Sequence, residues 1–364
     1  MKHCGNVRAL ATSQTQSGRR RIFACTRCGE QCSETRQTVF FALRTPEEKV
    51  IIVLKRLLCK VELTSISFAL GVTEETILGW LRRAAEKATE INHDLLREVQ
   101  VTQVQRDEMW SFIRRTHSPE AGSDGESPEE SVDGRQWVGV SCASEYRLVL
   151  AAYVGPRTLQ SALILVQMTA AVVLGVPCFF SDGFSSSLLA LVAVYPEMKE
   201  CARTGTRGRP RKPVQEPHPD LVYAQLIKHK HQGRLQTLTE RVCCGAARLT
   251  ALGLKISTSL VERLTLTLRP AFAPLTRKSL SCCKDREQWR RRVVFFQAFY
   301  NFARPHQSVR CPLPTAAPSL GGLIQPKGQP CTPGMAAGLT DHVWTFRELL
   351  TAKFEPLLNQ NTSG

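Results

Sequence analysis

Long apolar runs are missing from this sequence. Across its 364 residues no window reaches the roughly 18 uninterrupted apolar residues that a membrane-spanning helix requires. The best stretch, 162–180, is broken by Gln167, Thr169 and Pro177, and predicts a buried helix followed by a strand. The N-terminal MKHCGNVRAL lacks the apolar core of an export signal. A basic amphipathic helix with an aromatic face is also missing, which argues against a membrane surface as partner. Acids are scarce beside bases, 32 Asp plus Glu against 48 Lys plus Arg, for a formal net charge of +16. That imbalance favours a polyanionic partner, above all nucleic acid. The rest of the composition is that of a globular protein: 43% hydrophobic and 22% charged residues exclude wholesale disorder. Most of the fourteen cysteines stand alone (Cys59, Cys142, Cys178, Cys201), as small buried hydrophobes do. Without an export signal the expectation is a cytoplasmic, nucleoid-associated protein with no disulfide framework.

The length predicts two or three domains. Residues 1–40 are cysteine-bearing and Arg-rich, and 44–98 are helical in pattern. Residues 101–310 alternate strand-like and helix-like segments, interrupted by an acidic insertion at 118–134 and a basic loop within 201–220. The acidic segment carries six acids and no base, and is expected to be a solvated surface insertion. A hairpin is expected over 221–243 and two helices with Arg-rich faces over 259–303. The tail, 311–364, is Pro- and Gly-rich and expected to be irregular apart from a short helix near 343–352.

Two constellations precede the acids. Cys25 and Cys28 form a C-x2-C knuckle, the spacing with which two thiolates grip one tetrahedral zinc ion, and Cys4 would be a third ligand. A complete ribbon needs another Cys three residues before Cys4, where Met1 stands. Either His3 or Cys32 completes the set, the given chain starts too late, or the site is lost. In TSISFALGVTEETILGWLRRAAEKA, Gly71 breaks a short helix, Thr73 caps the next, and Glu74 and Glu75 suit its positive N-terminal end. Ile77, Trp80, Leu81 and Ala84 share one helical face. This reads as a helix-turn-helix, whose second helix normally enters the DNA major groove; a plain helical hairpin is the bland alternative. Thr76, Arg82 and Arg83 face away from the apolar stripe, towards the candidate DNA side.

Three separate acids carry the chemistry. Asp107 lies inside a strand pattern with apolar Val104, Met109 and Phe112 nearby, where a carboxylate is costly unless paired or bound to a cation. Asp182 ends the apolar strand PCFFSD before Gly183 turns the chain into a helix, and the carboxyl ends of such strands build sites in open α/β sheets. Glu262 opens a later helix. Singly each has a mundane reading, as a strand-end charge, a turn or cap, and a helix-dipole residue. If adjacent strands carry the two Asp residues and the helix packs across the sheet, they converge as a hard oxygen ligand set suited to Mg²⁺ or Mn²⁺, with which two-metal phosphodiester chemistry is done.

The blocks RDEMWSFI, FSDGF, VERLTLTLRP and FYNFARPHQSV resemble the bacterial insertion-sequence transposases of the DDE type, in the branch with an N-terminal zinc ribbon, a helix-turn-helix and an RNase-H-like catalytic domain. The resemblance covers roughly residues 4–310. It implies an α/β RNase-H-like mixed sheet flanked by helices, preceded by a small ribbon and an all-α module. It implies Asp107, Asp182 and Glu262 as the metal-binding catalytic triad, DNA cleavage at the element's terminal inverted repeats, and strand transfer into target DNA, with a homo-oligomer joining two ends. Arg263 and Arg269 match basic positions on the Glu262 helix that would hold DNA phosphates, and Arg304 and His306 match a block that either contacts DNA or braces the site. Two positions depart from the pattern. Thr265 stands where relatives carry Asn, and Pro270 should bend or end the Glu262 helix. An inactive DNA-binding regulator, or a nuclease that cuts without joining, would share much of this pattern.

Overall fold

The computed structural model describes residues 7–113, 134–199, 212–232, 234–275, 283, 285–311 and 328–354. The acidic insertion, except for Gly134, and most of the basic loop lie outside these residues, as do His3 and Cys4. The N-terminal part folds as an antiparallel sheet of β1 (Val7–Thr15), β2 (Gly18–Cys25) and β3 (Gln31–Ser33), paired in chain order. Gly18 turns the chain between the first two strands at φ 112°, a conformation only glycine adopts cheaply.

Three helices follow: α1 (Glu47–Leu57), α2 (Leu63–Leu70) and α3 (Glu74–Leu95). Gly71, at φ 57°, closes α2 in the left-handed conformation, and the Thr73 hydroxyl accepts the Thr76 N–H to cap α3. Ile77, Trp80, Leu81 and Ala84 are buried, as their spacing predicts. Phe68 is not: it is 93% exposed, because α2 buries only Ile66. α3 packs along α8, and one continuous buried cluster runs from Val39 to Leu350.

The central sheet begins with β4 (Gln103–Ile113), β5 (Gly134–Ala143) and β6 (Leu148–Gly155), antiparallel neighbours. The chain then crosses through α4 (Leu159–Ala170) to β7 (Cys178–Ser181), which lies parallel to β4. α5 (Ser186–Val194) and the small ribbon β8 (Pro196–Lys199) with β9 (Val214–Pro217) lead to β10 (Val222–His231), parallel to β7. The expected hairpin is completed by β11 (Arg234–Cys244). The resulting order, β11-β10-β7-β4-β5-β6, is a six-stranded mixed sheet compatible with an RNase-H-like layout.

After α6 (Ala246–Leu252) come α7 (Ser259–Leu268) and α8 (Arg286–Ala298). α7 stops before Pro270, whose ring cannot continue the helix. On one face of the sheet the Trp289 indole of α8 donates to the Ser111 hydroxyl (3.3 Å). On the other face α4 packs so closely that a Cβ at Gly139 would meet Leu165 at 2.9 Å. A π-helical turn at 299–303 extends α8 and places Asn301 against the edge strand β6. The Asn301 amide accepts the Val149 N–H and donates to the Val149 carbonyl, completing a strand edge that would otherwise be unpaired.

The last elements are β12 (His306–Cys311), β13 (Gln329–Cys331), α9 (Pro333–Ala336) and α10 (Phe346–Thr351). The short helix expected near 343–352 is present as α10, while residues 312–327 of the expected irregular tail lie outside the described residues. Phe346, Leu349 and Leu350 are buried, and the Val39 N–H donates to the Leu350 carbonyl (3.1 Å). A short helix at 343–352 was legible, but the Pro- and Gly-rich surroundings concealed that its apolar face is part of the core. Among the described residues no helix is long and apolar enough to cross a membrane.

Candidate active site

Side chains alternate along β4. Gln105, Asp107 and Ser111 face α7 and α8, whereas Arg106 and Glu108 face α4. β7 runs beside β4 with Val104 opposite Phe179 and Gln105 opposite Phe180. Asp182, one residue past the end of β7, lies close enough to raise the pKa of both Asp107 and Glu108. Gln105 brings the third acid across. Its Oε1 accepts the N–H groups of Leu260 (2.9 Å) and Val261 (3.1 Å), two donors that the first turn of a helix leaves without partners. Glu262 is the next residue, so the side chain that caps α7 also holds the turn that carries Glu262.

The electrostatics report the same convergence. The Asp107 carboxyl is pushed up to about 7, first by burial and then by Asp182, Glu108 and, more weakly, Glu262. Its own Oδ1 accepts the Glu108 N–H (2.9 Å), and no cation pairs with it among the described residues. Glu108 is also raised, by burial and then by Asp182, despite Arg106 and Arg157. Arg106 lies wholly buried on the α4 side, its guanidinium nitrogens without hydrogen-bond partners.

Two cations that sequence reasoning did not single out answer the other acids. Arg157 stacks between the rings of Trp137 (4.8 Å) and Phe184 (4.4 Å), and reaches Glu108 (3.4 Å) and Asp182 (3.6 Å). Lys228 of β10 pairs with Glu262, whose other oxygen accepts the Thr258 hydroxyl. Asp182 also accepts the Phe184 N–H (3.2 Å), so it serves the turn as well as the cluster. Gly183 is not left-handed there, so the turn does not depend on glycine.

The three carboxylates thus share a neighbourhood and not yet a single point. Among the described residues no group of three His, Cys, Asp or Glu side chains is set to hold a metal ion. The donor set nevertheless fits Mg²⁺ or Mn²⁺. All three are hard carboxylates, two of them paired with Arg157 and Lys228, and Asp107 carries an unrelieved repulsion that a dication would remove. With 46% and 38% of their side chains exposed, Asp182 and Glu262 are open to a substrate.

The other residues divide. Arg263, Arg304 and His306 come together with Arg147. The His306 pKa is lowered by burial and then by the three arginines, and its Nδ1 meets the Ser308 hydroxyl (2.8 Å). Arg269 is exposed at the end of α7. Thr76 and Arg82 are exposed on α3. Arg83 is instead tied down, donating to the carbonyls of Phe41 and, at 3.4 Å, Val39. Cys25 and Cys28 form a turn in which the Cys28 N–H approaches the Cys25 sulfur (3.5 Å), with Cys32 half-buried on β3. The third expected zinc ligand, Cys4, lies outside the described residues.

No family model matches the sequence, and no characterised protein matches it. Among solved structures, the chain is similar to the Mos1 strand transfer complex at 13% identity, over 38% of this chain and 52% of that one, with a TM-score of 0.16. It is similar to the Mos1 transposase paired-end complex with the left transposon end at 14% identity, over 40% and 56%, with a TM-score of 0.17. The chain spans about half the length of these solved chains. A likeness so slight carries no argument for function, which rests on the placement of the acids.

Proposed function

We propose that this chain is a DNA transposase of the DDE type, which binds the ends of a mobile element, cuts DNA strands there and joins them to a target. What supports the reading is the neighbourhood of Asp107, Asp182 and Glu262: both other acids raise the Asp107 pKa, β4 and β7 run side by side, and Gln105 caps the helix turn that carries Glu262. Asp107, Asp182 and Glu262 would hold Mg²⁺ or Mn²⁺. When bound, such ions lower the pKa of an attacking water or 3′-hydroxyl and stabilise the leaving oxygen. Gln105 would position Glu262 by capping the turn that carries it. Arg157 pairs with Asp182 and Lys228 with Glu262 in the metal-free protein, and a dication would take over both carboxylates. Arg147, Arg263, Arg304 and His306, on the same side as α7, would draw in the phosphate backbone. The N-terminal sheet and helices α1–α3, with Thr76 and Arg82 exposed, would contact the terminal repeats as ribbon and helix-turn-helix, and a homo-oligomer would bring two ends together.

The test is cleavage and strand joining on DNA carrying the element's ends, with Mg²⁺. Asp182→Asn should abolish both steps, by at least a hundredfold, while leaving DNA retention in a mobility-shift assay within twofold. Cutting without joining would make the protein a nuclease. Binding without any product from the unaltered protein would make it a regulator. Loss of DNA binding in the variant would show that Asp182 is structural.

A further inference from the structure

Away from the acids, a cavity of about 450 Å³ opens between the β1–β3 sheet and residues 40–44. Its wall is rich in hydroxyls, including Ser13, Thr15, Ser33 and Thr35, and Arg20 enters it from β2. Arg20 is only 8% exposed. Its Nη1 pairs with Glu47, while its Nη2 is buried with no hydrogen-bond partner. Glu47 is shared, because its second oxygen takes Arg347 Nε at 2.9 Å. Two guanidiniums on one carboxylate leave a positive charge uncompensated. Arg44, on the cavity lining and exposed, adds a second with no ion pair to any described residue.

A buried guanidinium N–H left without an acceptor is costly, and the fork of an arginine matches the oxygens of a phosphate better than it matches water. Of the hydroxyls, Thr15 already donates to the Gly18 carbonyl and Ser33 and Thr35 bond each other, which leaves Ser13 as a further donor, and Glu47 is already engaged. The volume is that of a small-molecule site. On the same lining Phe41 is 45% exposed, offering a flat ring against which a base can stack.

We propose that this cavity binds a nucleotide unit, with Arg20 Nη2 and Arg44 on its phosphate oxygens and Phe41 against its base. The unit is either part of a DNA strand or a free nucleotide. None of these residues belongs to the acid cluster, so the proposal stands whether or not the acids cut DNA.

The test is calorimetric titration of the full chain without divalent cations, once with deoxyadenosine monophosphate and once with a short single-stranded oligonucleotide. Arg44→Gln, at an exposed position, should weaken binding about tenfold at unchanged melting temperature, whereas Arg234→Gln on the exposed β11 should change it less than twofold. Arg20→Lys retains a charge for Glu47 but loses the fork, and should weaken binding comparably. A tenfold loss for the mononucleotide identifies a free nucleotide as occupant; a loss confined to the oligonucleotide identifies a strand phosphate. The proposal is overturned if neither ligand binds, or if Arg44→Gln and Arg20→Lys bind as the unaltered protein does. Activity of Asp182→Asn has no bearing on the outcome.

Discussion

Asp107 is the residue at which the site's chemistry and the protein's stability meet. Burial and three neighbouring acids push its carboxyl up to about 7 from an ordinary value of 3.8. An acid whose pKa is raised on folding costs nothing below the unfolded value, where both states are protonated. The cost grows as pH rises through the window from about 4 to about 7, and is full above it. Asp107→Asn should therefore stabilise the metal-free protein at pH 8 by on the order of 2 kcal/mol and by much less at pH 4.5, while abolishing strand cleavage. Urea unfolding of both proteins at the two pH values checks this; an equal difference at both would remove the carboxyl repulsion from the account. Asp107, Asp182 and Glu262 stand out in the sequence because an acid in an apolar strand, at a strand end or at a helix start is conspicuous by type and place. Their answering groups do not. Gln105, Arg157 and Lys228 are ordinary polar residues of strands and loops, and only the register of β4, β7 and β10 gives them partners. Arg83 shows the converse: its helical position marked it as outward-facing, yet the carbonyls of Val39 and Phe41, more than forty residues back, capture it.

At the scale of elements, local chemistry carried the reading well wherever a cap or breaker was involved. Gly71 and Thr73 mark the turn between α2 and α3, and Pro270 marks where α7 ends. In the tail the short helix stood out as well, but nothing in its local sequence showed that Phe346, Leu349 and Leu350 pack into the core. Sequence could not show that the N-terminus of α7 is capped from outside, by a strand more than 150 residues away. That cap makes a prediction. Gln105→Leu keeps the volume of a buried side chain but leaves the N–H groups of Leu260 and Val261 without acceptors, and should cost about 1–3 kcal/mol. Amide hydrogen exchange should quicken at those two residues before it does along α8. Because Glu262 is held by the same turn, strand cleavage should fall further than DNA binding does. Unchanged exchange at Leu260 and Val261 would mean that α7 is held by its apolar face alone.

For the molecule as a whole, the sequence divides by composition into ribbon, helices, sheet and tail, but apolar contact does not respect those seams. α3 packs along α8, α10 reaches back to both, and the buried cluster is continuous from Val39 to Leu350. Phe346 is the point of greatest convergence. It meets the rings of Phe295 (5.8 Å) and Phe299 (6.0 Å), while Lys55 of α1 lies over its face at 5.4 Å. A tail that merely trailed from a catalytic unit would tolerate truncation of that ring. A tail wedged between α1 and α8 would not, since removing a buried aromatic leaves a void the surrounding helices cannot fill. Phe346→Ala should therefore cost about 3–4 kcal/mol. Its effect should spread beyond the tail, with α1 and α8 losing protection from hydrogen exchange together in one cooperative transition. If α10 alone frays while α1 and α8 keep their protection, the C-terminal segment is an appendage, and the continuous core does not couple the helical unit to the sheet that carries the acids.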